Sequence, residues 1–339
     1  MAVHRVVLFL CATLSSFCIE SAAFAETYIQ IDVPNAPATY VWGLNSKGDV
    51  EGDAWGAGGF VRTKRVQFIY LSNKDSDAGV FPQYINAHRT TTGFALISGG
   101  SGFVGAADGS FTVFRVPGSS RSTYPTALDN DDNIAGLYWT VDNVARGFIR
   151  DKLGNVTLFD GPNAGNIQNT GTFTRAMDSR GSVFGYATTN TFVYHGFMRS
   201  RSGTISAIDL PEAGAGSMQG TQINCVNAID TIGGNYFDSQ GQRHGFIRPK
   251  GGTTVTIDIA GAADLNVTSI NKNNVAAGYY QDSTSTYRGF VRAASGKITT
   301  FDASDGWGDT FAMSINDSGE IAGRFYGQNG TPHGFLRLP

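Results

Sequence analysis

The chain has 339 residues, a formal net charge of −3 and charged side chains at 16% of its positions. Its basic residues are scattered, which excludes the cationic face of a nucleic-acid binder, and beyond the first 25 residues no long apolar stretch or polybasic run supports stable membrane insertion. The 44 glycines fall at turns in register with an internal repeat, as in an all-β fold rather than a disordered chain.

Residues 1–25 read as a signal peptide: Arg5 gives a charged start, Val6 to Ile19 is a mostly apolar run, and Ala23-Phe24-Ala25 fits the small-x-small cleavage pattern. The apolar run is too short to span a bilayer comfortably. Cleavage before Glu26 leaves 314 residues, exported to the periplasm or the cell exterior. Two of the three cysteines lie in this segment, so Cys225 has no disulfide partner in the mature chain. Its place at a small-residue position of a strand predicts a buried, inert thiol.

The mature chain opens with TYIQIDVP (27–34), which matches the outer strands of later units: VTLFDGP (156–162), ISAIDLP (205–211) and VTIDIAG (255–261). No such strand follows the last unit. The N-terminal strand is therefore expected to complete the final sheet and close a ring, leaving no long exposed edge there.

From residue 39 onward the chain repeats. Take as anchor Asn45, Asn86, Asp129, Asp178, Asn227, Asn271 and Asn316, which lie 41 to 49 residues apart. Seven positions after each stands a glycine: Gly52, Gly93, Gly136, Gly185, Gly234, Gly278 and Gly323. Eleven further comes Gly-Phe in units three to seven (Phe148, Phe197, Phe246, Phe290, Phe335), with a shorter interval to Phe60 and Phe103 in the first two. Five units carry an aromatic residue five before the anchor: Tyr40, Phe81, Tyr124, Phe173 and Phe311. Two before the anchor the residue is small (Gly43, Ala127, Ala176, Cys225, Ser269, Ser314), Tyr84 excepted.

Each unit holds four apolar runs of strand length; in the seventh they are ITTFD (298–302), TFAMSIN (310–316), EIAGRFY (320–326) and HGFLRL (333–338). Short β-branched and aromatic runs bounded by Gly, Asn, Asp and Ser are strands, and four of them at this period are a propeller blade. The predicted fold is an all-β, seven-bladed β-propeller with four-stranded blades, a single domain over residues 26–339. The anchor Asn or Asp bonds its own backbone two residues on and starts a tight turn. The constant glycine is expected to allow close backbone approach to the next blade. Two long loops, 160–172 and 211–222, precede anchor strands and fall at one end of the ring, where a propeller carries its function.

The recurring pattern, an aliphatic residue before Asn or Asp, glycine seven later and Gly-Phe-x-Arg beyond, follows a strand ending in Asp160, Asp209, Asp258 or Asp302. It resembles the HAF-type extracellular repeat over essentially the whole mature chain. The His-x-Phe triplets are His195-Gly196-Phe197, His244-Gly245-Phe246 and His333-Gly334-Phe335, with Arg146 or Arg288 replacing His in units three and six. The resemblance implies an exported propeller-like protein and supplies no catalytic residue.

The three histidines occupy one repeat position in separate blades, too far apart to share a zinc ion, so a structural hydrogen bond is expected instead. Asp129 to Asn133 and Asp75-Ser76-Asp77 are oxygen-rich but lack full calcium-loop spacing and read as turns. No metal or cofactor is expected. Glu212, Asp305 and Asp309 lie in the loops without a pairing that would make an acid–base couple. Aromatic residues at strand ends on the loop-bearing face, Trp55, Trp139, Phe237 and Tyr326, together with Trp307, form the expected ligand platform, against the plainer reading of blade packing. The expected function is non-catalytic binding of a glycan or extracellular protein. The alternatives are a polysaccharide-cleaving enzyme, a glycoside hydrolase or lyase, and a structural scaffold.

Overall fold

The computed structural model describes residues 27–72, 79–97, 99–303 and 308–339. Among them every regular element is a strand, 28 in all. Asp75, Asp77, Asp305 and Trp307 lie outside the described residues, as does the expected signal peptide.

The strands form meanders in which sequence neighbours pair antiparallel. Unit one runs Thr39–Leu44, Val50–Ala54, Gly58–Arg62 and Phe68–Tyr70. Unit seven supplies Thr310–Ile315, Ile321–Tyr326 and Pro332–Arg337, and its fourth strand is Tyr28–Ile31, in register from Tyr28↔Arg337 to Ile31↔Gly334. Leu338 N donates to Thr27 O at 2.9 Å beside this pair. Single parallel bridges, Ala145↔Gly171 and Tyr194↔Gly220, join units three, four and five into one sheet; the others stand as separate four-stranded sheets. First strands of consecutive units lie against one another, and that of unit one also lies against Thr310–Ile315 of unit seven. Such meanders around a common axis make a β-propeller.

The repeat positions explain the packing. All seven Gly-Phe phenylalanines, Phe60, Phe103, Phe148, Phe197, Phe246, Phe290 and Phe335, have no accessible surface. Each contributes about 2–3 kcal/mol by leaving water. The constant glycine behaves differently from expectation, because its close neighbour lies within its own unit. A Cβ on Gly278 would stand 1.9 Å from Asn266 O and 2.8 Å from the Phe290 ring; one on Gly323 would stand 2.0 Å from Phe311 O. The cause is a β-bulge. In every unit the register between first and second strands slips at the residue three before the anchor, bringing the carbonyl of the residue five before it onto the glycine. Contact with the next unit falls instead on the glycine of Gly-Phe: a Cβ on Gly334 would meet Val41 Cγ2 of unit one at 2.4 Å.

The anchors do two jobs. Asn45 Oδ1 accepts from the Lys47 and Asp49 amides, both at 2.9 Å, closing its turn. Its Nδ2 donates to Asn86 O of the next unit at 3.0 Å. The same bond runs from Asn86 to Asp129 O, from Asn227 to Asn271 O, from Asn271 to Asn316 O, and from Asn316 back to Asn45 O at 3.3 Å. Asp129 and Asp178 accept the turn amides but have no side-chain N–H to pass on. Asp129 spends its carboxylate on Asp131 N, Asn133 N and Asn133 Nδ2, the plain turn expected of it.

The histidines pin strands. His195, His244 and His333 meet Asp209, Asp258 and Asp32 at 2.9, 2.7 and 2.7 Å, each aspartate following the outer strand of the same sheet. Arg146 and Arg288 make the equivalent contact to Asp160 and Asp302. Cys225 is buried and unpaired, and burial pushes its thiol up to about 12.

Candidate active site

The bulge that seats the constant glycine also aims a side chain. The residues three before the anchors are Trp42, Gln83, Thr126, Arg175, Asn224, Thr268 and Met313. Six of them line a cavity of about 430 Å³ between the first strands; Thr126 is instead buried against Thr174, Oγ1 to Oγ1 2.8 Å. Tyr84, Gln222, Arg243, Asn266 and Tyr279 complete the polar wall. A smaller recess of about 200 Å³ continues toward the anchor turns and shares Trp42, Tyr84, Arg175 and Asn224.

Arg175 is enclosed by the ring yet solvent-exposed, because it projects into the cavity. Its Nη2 donates to Tyr186 Oη at 3.2 Å. Desolvation works against its charge, but the phenol oxygens of Tyr186, Tyr84 and Tyr279 outweigh that and hold its pKa above the usual guanidinium value. Arg243 is committed to the wall, donating to Asp264 at 2.9 Å and Asn266 at 2.6 Å. Arg324 lies 4.2 Å over Trp42 and 4.8 Å over Phe311 and bonds Tyr326. Its Nε and Nη1 are buried without a hydrogen-bond partner, and desolvation lowers its pKa. Among the described residues neither Arg175 nor Arg324 has a carboxylate within ion-pair distance.

Two phenols face these cations. Tyr279 Oη accepts from Asn266 Nδ2 at 3.1 Å; burial raises its pKa, while Arg243 and Arg324 pull it back. Tyr84 is also raised by burial, lowered in part by Arg175 and raised again by Glu51. Acids stand behind the wall. Asp53 accepts from Trp42 Nε1 at 2.7 Å, and desolvation raises its pKa against that bond and the Arg324 charge. Glu51 has no accessible surface and neither carboxyl oxygen is bonded; burial, then Asp53, push it well above the usual carboxylate range. Its Oε1 fills the space beside Gly43, where a Cβ would approach to 2.3 Å.

The expected aromatic platform is dispersed over the units. Second strands end beside the start of the first strands, as Ala54 pairs with Thr39, so Trp55, Trp139, Phe237 and Tyr326 share that end of the molecule. Trp55 is 61% exposed. Trp139 packs edge-on against Phe173 of the next unit at 5.9 Å. Phe237 packs against Tyr194 and under Arg243. Tyr326 meets Phe311 and bonds Arg324. None of the four lines the cavity, although Phe237 packs under Arg243, which does. Of the loop carboxylates, Asp309 caps the Tyr287 amide at 2.8 Å. Among the described residues no group of three or more His, Cys, Asp or Glu side chains is placed to hold a metal ion.

No protein-family model and no curated protein matches the chain. Solved structures do. A streptogramin B lyase superposes with a TM-score of 0.58 at 12% identity, over 93% of this chain and 98% of the lyase. Virginiamycin B lyase from Staphylococcus aureus gives 0.60 at 11% identity, over 93% of this chain and all of the lyase. A prolyl endopeptidase gives 0.58 at 10% identity, over 90% of this chain and 51% of the peptidase. At these identities the likeness is one of fold. It corrects the expectation of a non-catalytic binding module, because the neighbours that span the chain this fully include two lyases. Polar and ionisable groups converge in the axial cavity, which none of the four described platform residues lines.

Proposed function

We propose that the chain is an exported enzyme of the HAF-type repeat family. In this reading it is a seven-bladed propeller closed by its N-terminal strand, and it cleaves its substrate by elimination in the axial cavity. The observation that carries the catalytic part is the meeting of two phenols, Tyr84 and Tyr279, with the unpaired guanidinium of Arg175 in one cavity. Its volume, about 430 Å³, suits one or two sugar-sized rings. The closure is supported by the pairing of Tyr28–Ile31 with Pro332–Arg337 and by the Asn316-to-Asn45 bond.

In the proposed step Tyr279, as phenolate, takes a proton from a carbon next to a carbonyl-type group. The electron pair left behind forms a carbon–carbon double bond, and the bond from the neighbouring carbon to its leaving oxygen breaks. That oxygen takes the phenol proton of Tyr84. Nothing is oxidised or reduced and no water is consumed. Arg175 faces the negative charge that grows on the carbonyl oxygen, which is worth most in a site screened from bulk water. Burial raises both phenols; Arg175 offsets part of the rise at Tyr84, and Arg243 and Arg324 offset part of it at Tyr279. Since the base is a phenol with a raised pKa, the rate rises with pH into the alkaline range.

The full-length fold likeness to two lyases is consistent with eliminative chemistry and assigns no substrate here. The test is ultraviolet absorbance of the new conjugated double bond on a panel of charged and neutral polysaccharides. Tyr279→Phe and Tyr84→Phe are each expected to lower the rate by about 10²–10⁴-fold with an unchanged melting midpoint. A blank panel, or a Tyr279→Phe enzyme at full rate, would refute the reading.

A further inference from the structure

We infer that the axial cavity takes a substrate bearing a carboxylate, and that Arg175 is the residue that holds it. This rests on the proposed site and names its substrate class.

The argument starts from charge. Two guanidinium groups line the cavity, and of these Arg243 has a carboxylate partner, Asp264 at 2.9 Å, while Arg175 has none among the described residues. Arg175 is answered by neutral phenols, and Arg324 by two aromatic faces and a phenol. The acids nearby do not neutralise them. Asp53 accepts from Trp42 and feels the Arg324 charge but makes no ion pair with Arg324, and full burial pushes Glu51 well above the usual carboxylate range. A charged guanidinium that reaches open cavity space without a carboxylate partner is placed to receive an incoming anion.

Position separates the roles. Arg175 is exposed to the cavity, so its planar fork can accept a ligand directly, whereas Arg324 is screened behind Trp42 and adds only field. Gln83, Gln222 and Asn224 line the same space and carry amide donors. A planar two-oxygen acceptor fits a guanidinium fork flanked by amides. In the elimination chemistry that carboxylate is also the group that acidifies the adjacent carbon–hydrogen bond, so binding and activation fall on one contact.

The matched probes are galacturonate and galactose, which differ at one carbon by carboxylate against hydroxymethyl; inorganic sulfate and phosphate test other oxyanions. By calorimetry, galacturonate is expected to bind at least tenfold more tightly than galactose, with an affinity that falls as salt rises. Arg175→Gln is expected to abolish that preference and Arg175→Lys to keep part of it, while Tyr279→Phe still binds. Equal binding of the two sugars, full binding by a folded Arg175→Gln, or tighter binding of sulfate or phosphate would each overturn the inference. Galacturonate bound through Arg175 with no eliminative turnover of any carboxylate substrate would uphold this inference and sink the catalytic reading alone.

Discussion

Two rings of seven residues, three positions apart in sequence, divide the labour of this propeller. In the anchor ring the chemistry repeats: every member is Asn or Asp, every one closes a turn, and five pass a bond to the next unit. In the bulge ring the register repeats and the chemistry does not, running Trp, Gln, Thr, Arg, Asn, Thr, Met. The bulge residues lie within the first strands and the anchors in the turns that follow them. What must be equal in every unit is what holds the ring together; what is free to differ is what faces the cavity.

The contrast is sharpest at unit seven, where the two sets can be perturbed within one strand and the turn after it. Asn316→Ala strands two turn amides, Asn45 O and Glu320 Oε2, and is expected to cost about 2–4 kcal/mol in chemical denaturation. Met313→Ala, on a half-buried side chain at the cavity wall, is expected to cost about 1 kcal/mol or less. Equal losses from the two variants would break the comparison.

A second test concerns a departure from the repeat that the fold tolerates at a cost. Burial pushes the Glu51 carboxyl well above its usual range in the folded state, whereas the unfolded chain releases that proton at about pH 4 to 5. The folded state then binds more protons, so stability falls as pH rises through that range. Glu51→Gln removes this term. The variant is expected to match the parent at about pH 4 and to melt higher at about pH 8; identical pH–stability curves would show that Glu51 ionises in place.

The smallest effect is expected at a strand pin. Burial pulls the His244 pKa down, but the bonds to Asp258 and Asp238 outweigh it and leave it raised. Its contribution is present in full below the usual histidine value and is lost as pH rises through the raised one. His244→Asn is therefore expected to cost about 0.5–1 kcal/mol at pH 6 and less at about pH 8.5. A larger cost at the higher pH would reverse the assignment.

What was legible in the sequence follows the same division. The turns at Asn45 through Asn316, the glycine requirement and the buried Gly-Phe rings were readable because each recurs at a fixed interval. Arg175, Tyr279 and Arg324 were not, since the direction of each depends on a one-residue slip between strands that interval counting does not reveal. A signal was present nonetheless. Gln222 and Asn266 break the run of aromatic residues five before the anchor, and both line the cavity. Tyr84, the large residue at a small position, does too. The aromatic residues at strand ends drew attention because they recur, and recurrence in this molecule marks construction.

The sheet shared by Tyr28–Ile31 and Pro332–Arg337 gives synthesis a direction. Tyr28–Ile31 has no partner until Pro332–Arg337 has been made, more than three hundred residues later. Until then the side chain of Ile31, 1% exposed in the finished fold, lacks the strand it pairs with. Pairing over so long a loop is slow and falls at the end of folding. The seam is thus a checkpoint: a chain that loses either of these strands leaves its four-stranded sheet unfinished.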